Sequence, residues 1–548
     1  MLLLSKPAQS AAASKTACDE ATQANRGLER HHRSMSSFAL PIALFCSVLV
    51  VLASPYGPRL SPDSGGYIML ATEAYRKGPL SISMDWWPPG LPWMLWLLMK
   101  AFGPDALFAG LLVNSMSIGV CCFVLSHGTL EFLRSKRVFP TKHETLLSVL
   151  LSGFLSLVLV SSTMHSSIAI HVWSEPPFLA CISLGLWFFT RPGKHGWAWL
   201  FCAASCSIRF VGAFSVPIVC YHLLMRNGRK RFRETLLSSP AVVAATFVIL
   251  SVGLFVTYSS LWRDRGNLKA RKPFLQCLVD FFETLLGLFS PSGTELSLRT
   301  FLALGVAGLL MLGIGVWLRL KQEAPDGTSS SVSWGDETLW VLWIVVYSVG
   351  VSYLMARDGI GEMHRFVTPV ITAFLWVAAR WILSFPLERV RNEMLVCVVF
   401  LLSLSVKSAF QMSIKSFQEE SRSHVLISGP HVRATREFKE TEYIANQAQA
   451  IYFLGVKESS KRWAQIFSGL FNCHRIYFST VGEMPHRFDF HEPTLVVSDT
   501  GEVPFVDYLR KQNALLFEGV KLGFYLWYVK PTTALANLPV EPFSGGCE

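Results

Sequence analysis

The sequence predicts an α-helical polytopic membrane protein, with about eleven transmembrane helices and a small C-terminal α/β extracytoplasmic domain. Three observations carry that prediction. The chain has 548 residues, 51% hydrophobic and only 16% charged, with a mean hydropathy of +0.38, whereas soluble domains carry about 25% charged residues. The deficit lies in apolar runs long enough to cross a bilayer, separated by loops that are alternately rich and poor in Lys and Arg. From residue 411 the composition turns polar, and short β-branched and aromatic runs such as Ile451-Tyr452-Phe453-Leu454 alternate with helical patterns.

Charge and cysteine usage narrow the class. Lys plus Arg number 49 against 38 Asp plus Glu, a net charge of +11. In a membrane chain that excess marks cytoplasmic loops, so nucleic acid is not an expected partner. The 12 cysteines lie mostly inside apolar segments with no CxxC pair. They read as small packing residues, not as a metal or redox centre.

Taken in order, residues 1–36 form a disordered cytoplasmic tail. Residues 37–53 make the first crossing, which starts inside because the tail is basic. Residues 54–104 lie outside. There Ser61-Pro62-Asp63-Ser64-Gly65-Gly66-Tyr67 leads into an amphipathic helix over 65–77. Tyr67, Leu70, Ala71 and Ala74 share one side, and Thr72, Glu73, Arg76 and Lys77 the other. Such a helix suits the headgroup zone. Asp63 reads both as its N-cap and as a carboxylate held at the membrane surface. Trp86, Trp87, Pro88, Pro89 and Pro92 turn the chain back, and 91–99 is a second surface helix.

Crossings follow at 105–127, 145–164 and 176–190. A short outer loop holds His165, His171, Trp173, Ser174 and Glu175. The run 197–224 is long, and one crossing would place the basic loop 226–233 outside, against the charge rule. A hairpin turning at Arg209–Gly212 removes the conflict and points Arg209 into an outer cavity. The competing reading is one tilted helix with Arg209 snorkelling. Further crossings at 241–261, 300–318, 338–355, 366–384 and 393–410 complete the domain 37–410, with a surface helix at 278–289. The odd count places the N-terminus in the cytoplasm and the soluble domain 411–548 outside. The expected location is the plasma (inner) membrane.

Sorted by side, the outer boundary gathers Asp63, Asp85, His165, His171, Glu175, Arg209, Arg357, Asp358, Glu362, His364 and Arg365. Each alone reads as a charge flanking a helix end. Together, from segments far apart, they are functional candidates. A carboxylate can take a proton from an attacking hydroxyl. Arginines can grip a phosphate with a planar fork of donors. Both together suit a substrate with a phosphate at headgroup level and a lipid tail between helices.

Several of these residues also form motifs. Asp63 and Tyr67 after the first helix, Pro88, Pro89 and Pro92 before Phe102-Gly103, Ser174-Glu175-Pro176, Arg209-Phe210-Val211-Gly212, and His364-Arg365-Phe366 with Pro369 stand in that order. This arrangement over roughly 37–410 resembles the GT-C membrane glycosyltransferases, in the branch of protein O-mannosyltransferases and lipid A aminoarabinose transferases. The resemblance implies transfer of a sugar from a polyprenyl-phosphate carrier to a glycan, lipid or protein acceptor on the outer side. It implies Asp63 as catalytic base, with Glu175 or Asp85 as second acid because Ser64 follows Asp63. Tyr67, Asp85, His171, Arg209, Arg357, His364 and Arg365 are the expected substrate-binding residues. No cofactor is expected, and no metal is specified. Two other classes use the same charges: a transporter or flippase, which internal repeats would favour, and a scaffold for envelope assembly, which would tolerate loss of Asp63.

Overall fold

The computed structural model describes residues 37–54, 58, 62–82, 88–103, 106–136, 143–191, 194–218, 221, 272–289, 335–358, 363–385, 391–400, 402–404, 406–407, 450–454, 475–479, 494–498, 504–511, 515–521 and 524–529. The expected tail 1–36, the crossings 241–261 and 300–318, the basic loop 226–233 and Asp85 lie outside them. Among the described residues four helices are long and apolar enough to cross a membrane, at Ala106–Ser135, Glu144–His165, Thr338–Arg357 and His364–Leu383.

The first helix, α1 (Ala39–Leu52), shows how small residues set the packing. Ala39, Ala43, Cys46 and Val50 recur at helical spacing and are buried. Leu40, Leu44, Phe45, Val48 and Leu52 stay exposed, a face suited to lipid. The buried face lies on α4 (Ala106–Lys136), where Ser115 Oγ donates to the Ser47 carbonyl at 2.9 Å. A Cβ at Gly119 would lie 2.0 Å from Ser47 Oγ and 3.3 Å from the Ala43 carbonyl oxygen, so glycine lets the two helices approach with the Ser47 hydroxyl left in place. Helix α4 runs on to Lys136, past the expected end at 127. Its last turns are held by tertiary packing, with Leu130, Phe132 and Leu133 all buried.

The amphipathic stretch forms α2 (Pro62–Lys77), and Tyr67, Leu70, Ala71 and Ala74 are its buried side, as the spacing predicts. Protein covers that side in place of headgroups. Tyr67, Ile68 and Ala71 pack with Leu91, Leu95 and Met99 of α3 (Gly90–Phe102) and with Leu107 and Val113 of α4. Leu70 and Ala74 meet Trp93 and Trp96. Helices α5 (Glu144–His165) and α6 (Glu175–Phe189) coincide with the apolar runs 145–164 and 176–190.

Helix α7 (His195–Ile208) ends at Arg209, whose backbone is extended at φ −146° and ψ 132°. A short 3₁₀ turn, Phe210–Phe214, follows. The Gly212 N–H donates to the Arg209 carbonyl at 2.9 Å, and a Cβ on Gly212 would sit 2.7–2.8 Å from Ser205 and Cys206. The helix is therefore interrupted at Arg209, which excludes one continuous tilted helix there.

Later elements are α8 (Phe274–Gly287), α9 (Gly335–Asp358) and a broken span. That span comprises α10 (Met363–Val367), a 3₁₀ turn at Thr368–Val370 and α11 (Ile371–Leu383). Pro369 removes a backbone donor at the break, and its carbonyl accepts from Trp343 Nε1 at 3.1 Å. In the polar C-terminal region, β1 (Ala450–Leu454), β2 (Arg475–Ser479), β3 (Thr494–Ser498), β4 (Leu515–Lys521) and β5 (Phe524–Val529) form a mixed sheet of order β2-β1-β3-β5-β4. The β1 pairings are parallel and the β5 pairings antiparallel. Helix α12 (Pro504–Lys511) precedes β4, a strand that the sequence pattern does not single out.

Candidate active site

Four segments converge at one end of the helix bundle. Asp63 comes from the first turn of α2, Glu175 opens α6, Arg209 is the break after α7, and Arg365 lies in α10. Their side chains form an alternating chain of charge. Arg365 Nη1 donates to Asp63 Oδ2 at 2.7 Å, and Arg365 Nε donates to Glu175 Oε1 at 3.0 Å. Arg209 Nη1 donates to the same Glu175 Oε1 and, at 3.4 Å, to Ser174 Oγ.

Burial grades this chain of charge. The Glu175 side chain is 0% exposed, Arg365 12%, Arg209 14% and Asp63 35%. Glu175 is a sealed carboxylate, and two guanidiniums offset its desolvation. Its Oε2 has no hydrogen-bond partner among the described residues. The negative charge at the start of α6 also suits the positive end of the helix dipole. Asp63, at the first turn of α2, is the most exposed of the four.

Aromatic rings line the cluster. Arg365 lies over the Trp173 ring at 4.0 Å, and Arg209 over Phe366 at 5.1 Å, so each guanidinium has a π face as well as a carboxylate. Trp173 stacks on His171 with centroids 4.2 Å apart and planes 12° apart. The loop that carries both is tightly folded. Ser167 takes φ 61°, a left-handed value uncommon for a residue with a Cβ. His171 Nδ1 meets the Ser167 carbonyl at 2.8 Å, and since that carbonyl can only accept, Nδ1 carries a proton. Asn114 of α4 donates to the carbonyls of Ala169, at 3.1 Å, and His171.

Tyr67, one turn after Asp63, is buried and donates from its hydroxyl to Ser174 Oγ at 3.1 Å. Burial first, and then the charges of Asp63 and Glu175, push its phenol well above the ordinary range. Tyr67 therefore stays a hydrogen-bond donor and cannot serve as a base near neutral pH.

Of the residues predicted from sequence, Asp63, Glu175, Arg209 and Arg365 meet directly, Tyr67 joins them through Ser174, and His171 through Trp173. His364, beside Arg365 in α10, and Arg357, in the last turn of α9, are exposed, and His364 lies within electrostatic reach of His165. Asp85 falls outside the described residues. The structure adds Trp173 and Ser174 to the set. Both stood in the outer loop as read from sequence, but nothing in their type marked them as partners of the arginines. It also adds Tyr347 of α9, buried within electrostatic reach of Arg209 and Glu175. A tyrosine inside an apolar run carries no sequence signal. Among the described residues no group of three or more His, Cys, Asp or Glu side chains is gathered as for a metal ion.

No protein-family model and no curated protein sequence matches the chain. Two solved structures of ArnT from Cupriavidus metallidurans are similar to it. The structure bound to undecaprenyl phosphate aligns at a TM-score of 0.49 and 14% identity, covering 91% of this chain and 99% of its own. The apo structure aligns at a TM-score of 0.50 and 14% identity, covering 90% of this chain and 98% of its own. With the apo structure, then, this chain shares an overall fold across nearly the full length of both molecules.

Proposed function

We propose that the protein is a membrane glycosyltransferase that moves a sugar from a polyprenyl-phosphate carrier to an acceptor on the outer side of the plasma membrane. The observation that carries this reading is the buried alternation Asp63–Arg365–Glu175–Arg209 at one end of the bundle. It sets a carboxylate beside paired guanidiniums at the helix ends, where a lipid-linked phosphate would lie. The fold shared with ArnT agrees with it.

In this reading Asp63, the most exposed of the four, takes the proton of the acceptor hydroxyl. The hydroxyl oxygen attacks the anomeric carbon as the bond from that carbon to the phosphate oxygen breaks. The bonding pair leaves with the polyprenyl phosphate, and a single displacement inverts the sugar. Arg209 and Arg365 neutralise the phosphate as its charge grows. Glu175 is the second acid, and it acts by fixing both guanidiniums. Tyr67 supplies a fixed donor beside them. His171, Arg357, His364 and Asp85 edge the substrate space.

This reading also takes the topology with about eleven crossings, an N-terminus in the cytoplasm, and 411–548 as an extracytoplasmic α/β domain. The acceptor is a glycan, lipid or protein. Mass spectrometry of envelope glycans, with the wild-type protein, without it, and with Asp63→Asn, tests the function. A glycan or glycolipid peak that vanishes without the protein and does not return with Asp63→Asn is expected. Identical spectra in all three would refute it.

A further inference from the structure

The reading above gives Arg365 one anion, the donor phosphate. The structure gives it two others already, since one guanidinium spans Asp63 at 2.7 Å and Glu175 at 3.0 Å. We infer that Arg365 exchanges partners: it holds Asp63 in the empty site and releases it to the phosphate of the donor, so that the base is freed only when the donor is in place. This rests on the proposed donor site and adds an order of events to it.

The exchange has a direction because its two carboxylates are unequal. Glu175 is sealed and shares Oε1 between two guanidiniums. Releasing it would leave a buried, poorly paired charge, the costliest outcome available. Asp63 is 35% exposed, and water can take over its hydrogen bonds when Arg365 turns away. Among the described residues the cluster holds two carboxylates and two guanidiniums, equal in number. An entering phosphate adds negative charge beside Asp63, and it offers the planar guanidinium a stronger, multidentate acceptor. The contact that yields is therefore Arg365–Asp63, while Trp173, with the guanidinium 4.0 Å above its ring, keeps Arg365 in place during the exchange. Before the exchange Asp63 Oδ2 is occupied by an Arg365 N–H. Afterwards that oxygen is open to the acceptor hydroxyl. Arg365 is thus a positioning residue for Asp63 as well as a phosphate ligand.

The consequence runs against ordinary expectation for a base: removing its charge should improve donor-end binding. The test uses the full chain in lipid nanodiscs, titrated with undecaprenyl phosphate, and with undecaprenol as the phosphate-free control. Asp63→Asn should bind undecaprenyl phosphate about tenfold tighter than wild type, the scale of one charge-assisted contact, with no gain for undecaprenol. The gain should vanish when Arg365→Gln is added, because the two residues act through one contact. Asp63→Ser, with a melting curve in the nanodisc before undecaprenyl phosphate is added, covers the case in which Asp63→Asn does not fold. Unchanged or weaker binding by both Asp63 variants overturns the exchange, and so does a gain that survives Arg365→Gln. A wild-type protein that binds undecaprenyl phosphate no better than undecaprenol, with Arg209→Ala indistinguishable from it, overturns the donor site itself.

Discussion

Helix α6 carries an ionic cluster at each end, and the two are built on different principles. At its start, Glu175 is wholly buried and divided between Arg209 and Arg365, with Asp63 beyond. Just past its end, Arg191 meets Glu131 of α4, with Nη1 to Oε1 at 2.6 Å and Nη2 to Oε2. This second pair is closed, two donors on two oxygens, and the side chains are 24% and 46% exposed. Trp187 lies under Arg191 at 5.0 Å, and His127 accepts from Arg191 Nη2 at 3.3 Å. The far end thus behaves as an anchor between helices: a closed pair, open to solvent, even though Arg191 Nε is buried with no partner among the described residues. The near end is open-ended, with a shared oxygen, a second carboxylate oxygen that has no partner among the described residues, and a half-exposed acid at its tip. Ion pairs alone therefore do not mark a site. Burial and the sharing of one oxygen between two guanidiniums do.

The largest expected effect breaks that comparison at its centre. Glu175→Ala leaves Arg209 and Arg365 buried without their common carboxylate. Removing one partner of a buried pair costs about 3–5 kcal/mol. The thermal midpoint should fall sharply and transfer should cease. A variant that melts like wild type and still transfers would mean that the near end is an anchor of the same kind as the far end.

Two smaller losses sharpen the near end. Asp63→Asn keeps the shape of the side chain but removes the base. Turnover should drop by a factor of about 10² or more, with the melting point near wild type. Near-normal turnover would reduce Asp63 to a charge at a helix start. Arg209→Ala and Arg365→Ala should each weaken donor use at least about tenfold, the loss of one charge-assisted contact of about 1.5–3 kcal/mol. The double variant should fall short of the summed losses, and Arg365→Lys should not be neutral, since a point charge replaces a fork. Rates measured against donor concentration decide this, and fully additive losses would count against a shared phosphate.

Much of the near end was legible in the sequence, for a reason the far end makes plain. Charged residues are rare in apolar runs, so sorting them by side of the membrane places Asp63, Glu175, Arg209 and Arg365 within a short set of outer candidates before any contact is known, without separating them from residues such as His165, Asp358 and Glu362. Arg209 is legible because a long apolar run with an arginine must break or snorkel, and the backbone breaks there. The pairing is not legible. That one oxygen of Glu175 serves Arg209 and Arg365 depends on how α6, α7 and α10 meet, and no local spacing encodes a contact between residues 175 and 365. Trp173 has the same difficulty, since an outer tryptophan reads as an interface anchor. The extension of α4 was missed because its last turns hold Glu131, Arg134 and Lys136, which look like a loop until Arg191 pairs with the first of them.

Tyr67→Phe should have a modest effect. It deletes the donor to Ser174 Oγ and leaves the ring in its apolar contacts. A neutral hydrogen bond contributes about 0.5–1.5 kcal/mol, so donor use should fall only a few-fold, and the pH profile should keep its shape because the phenol does not titrate in the working range. A changed profile would give Tyr67 a proton-transfer role.

The smallest effect belongs to Glu131→Gln at the far end, and it is the control on which the comparison turns. The variant keeps side-chain length and one acceptor oxygen for Arg191. Arg191 keeps its place over Trp187 and its contact with His127. An ion pair with a carboxylate nearly half exposed contributes about 0–1 kcal/mol, so the melting point should barely move. Transfer should be unchanged, because α6 separates this pair from the reacting groups along its whole length. Both readouts are taken on one preparation of the full-length protein. A loss of stability comparable with Glu175→Ala would show that exposure does not grade these pairs. Lost transfer with normal melting would show that the two ends of α6 are coupled in the proposed reaction.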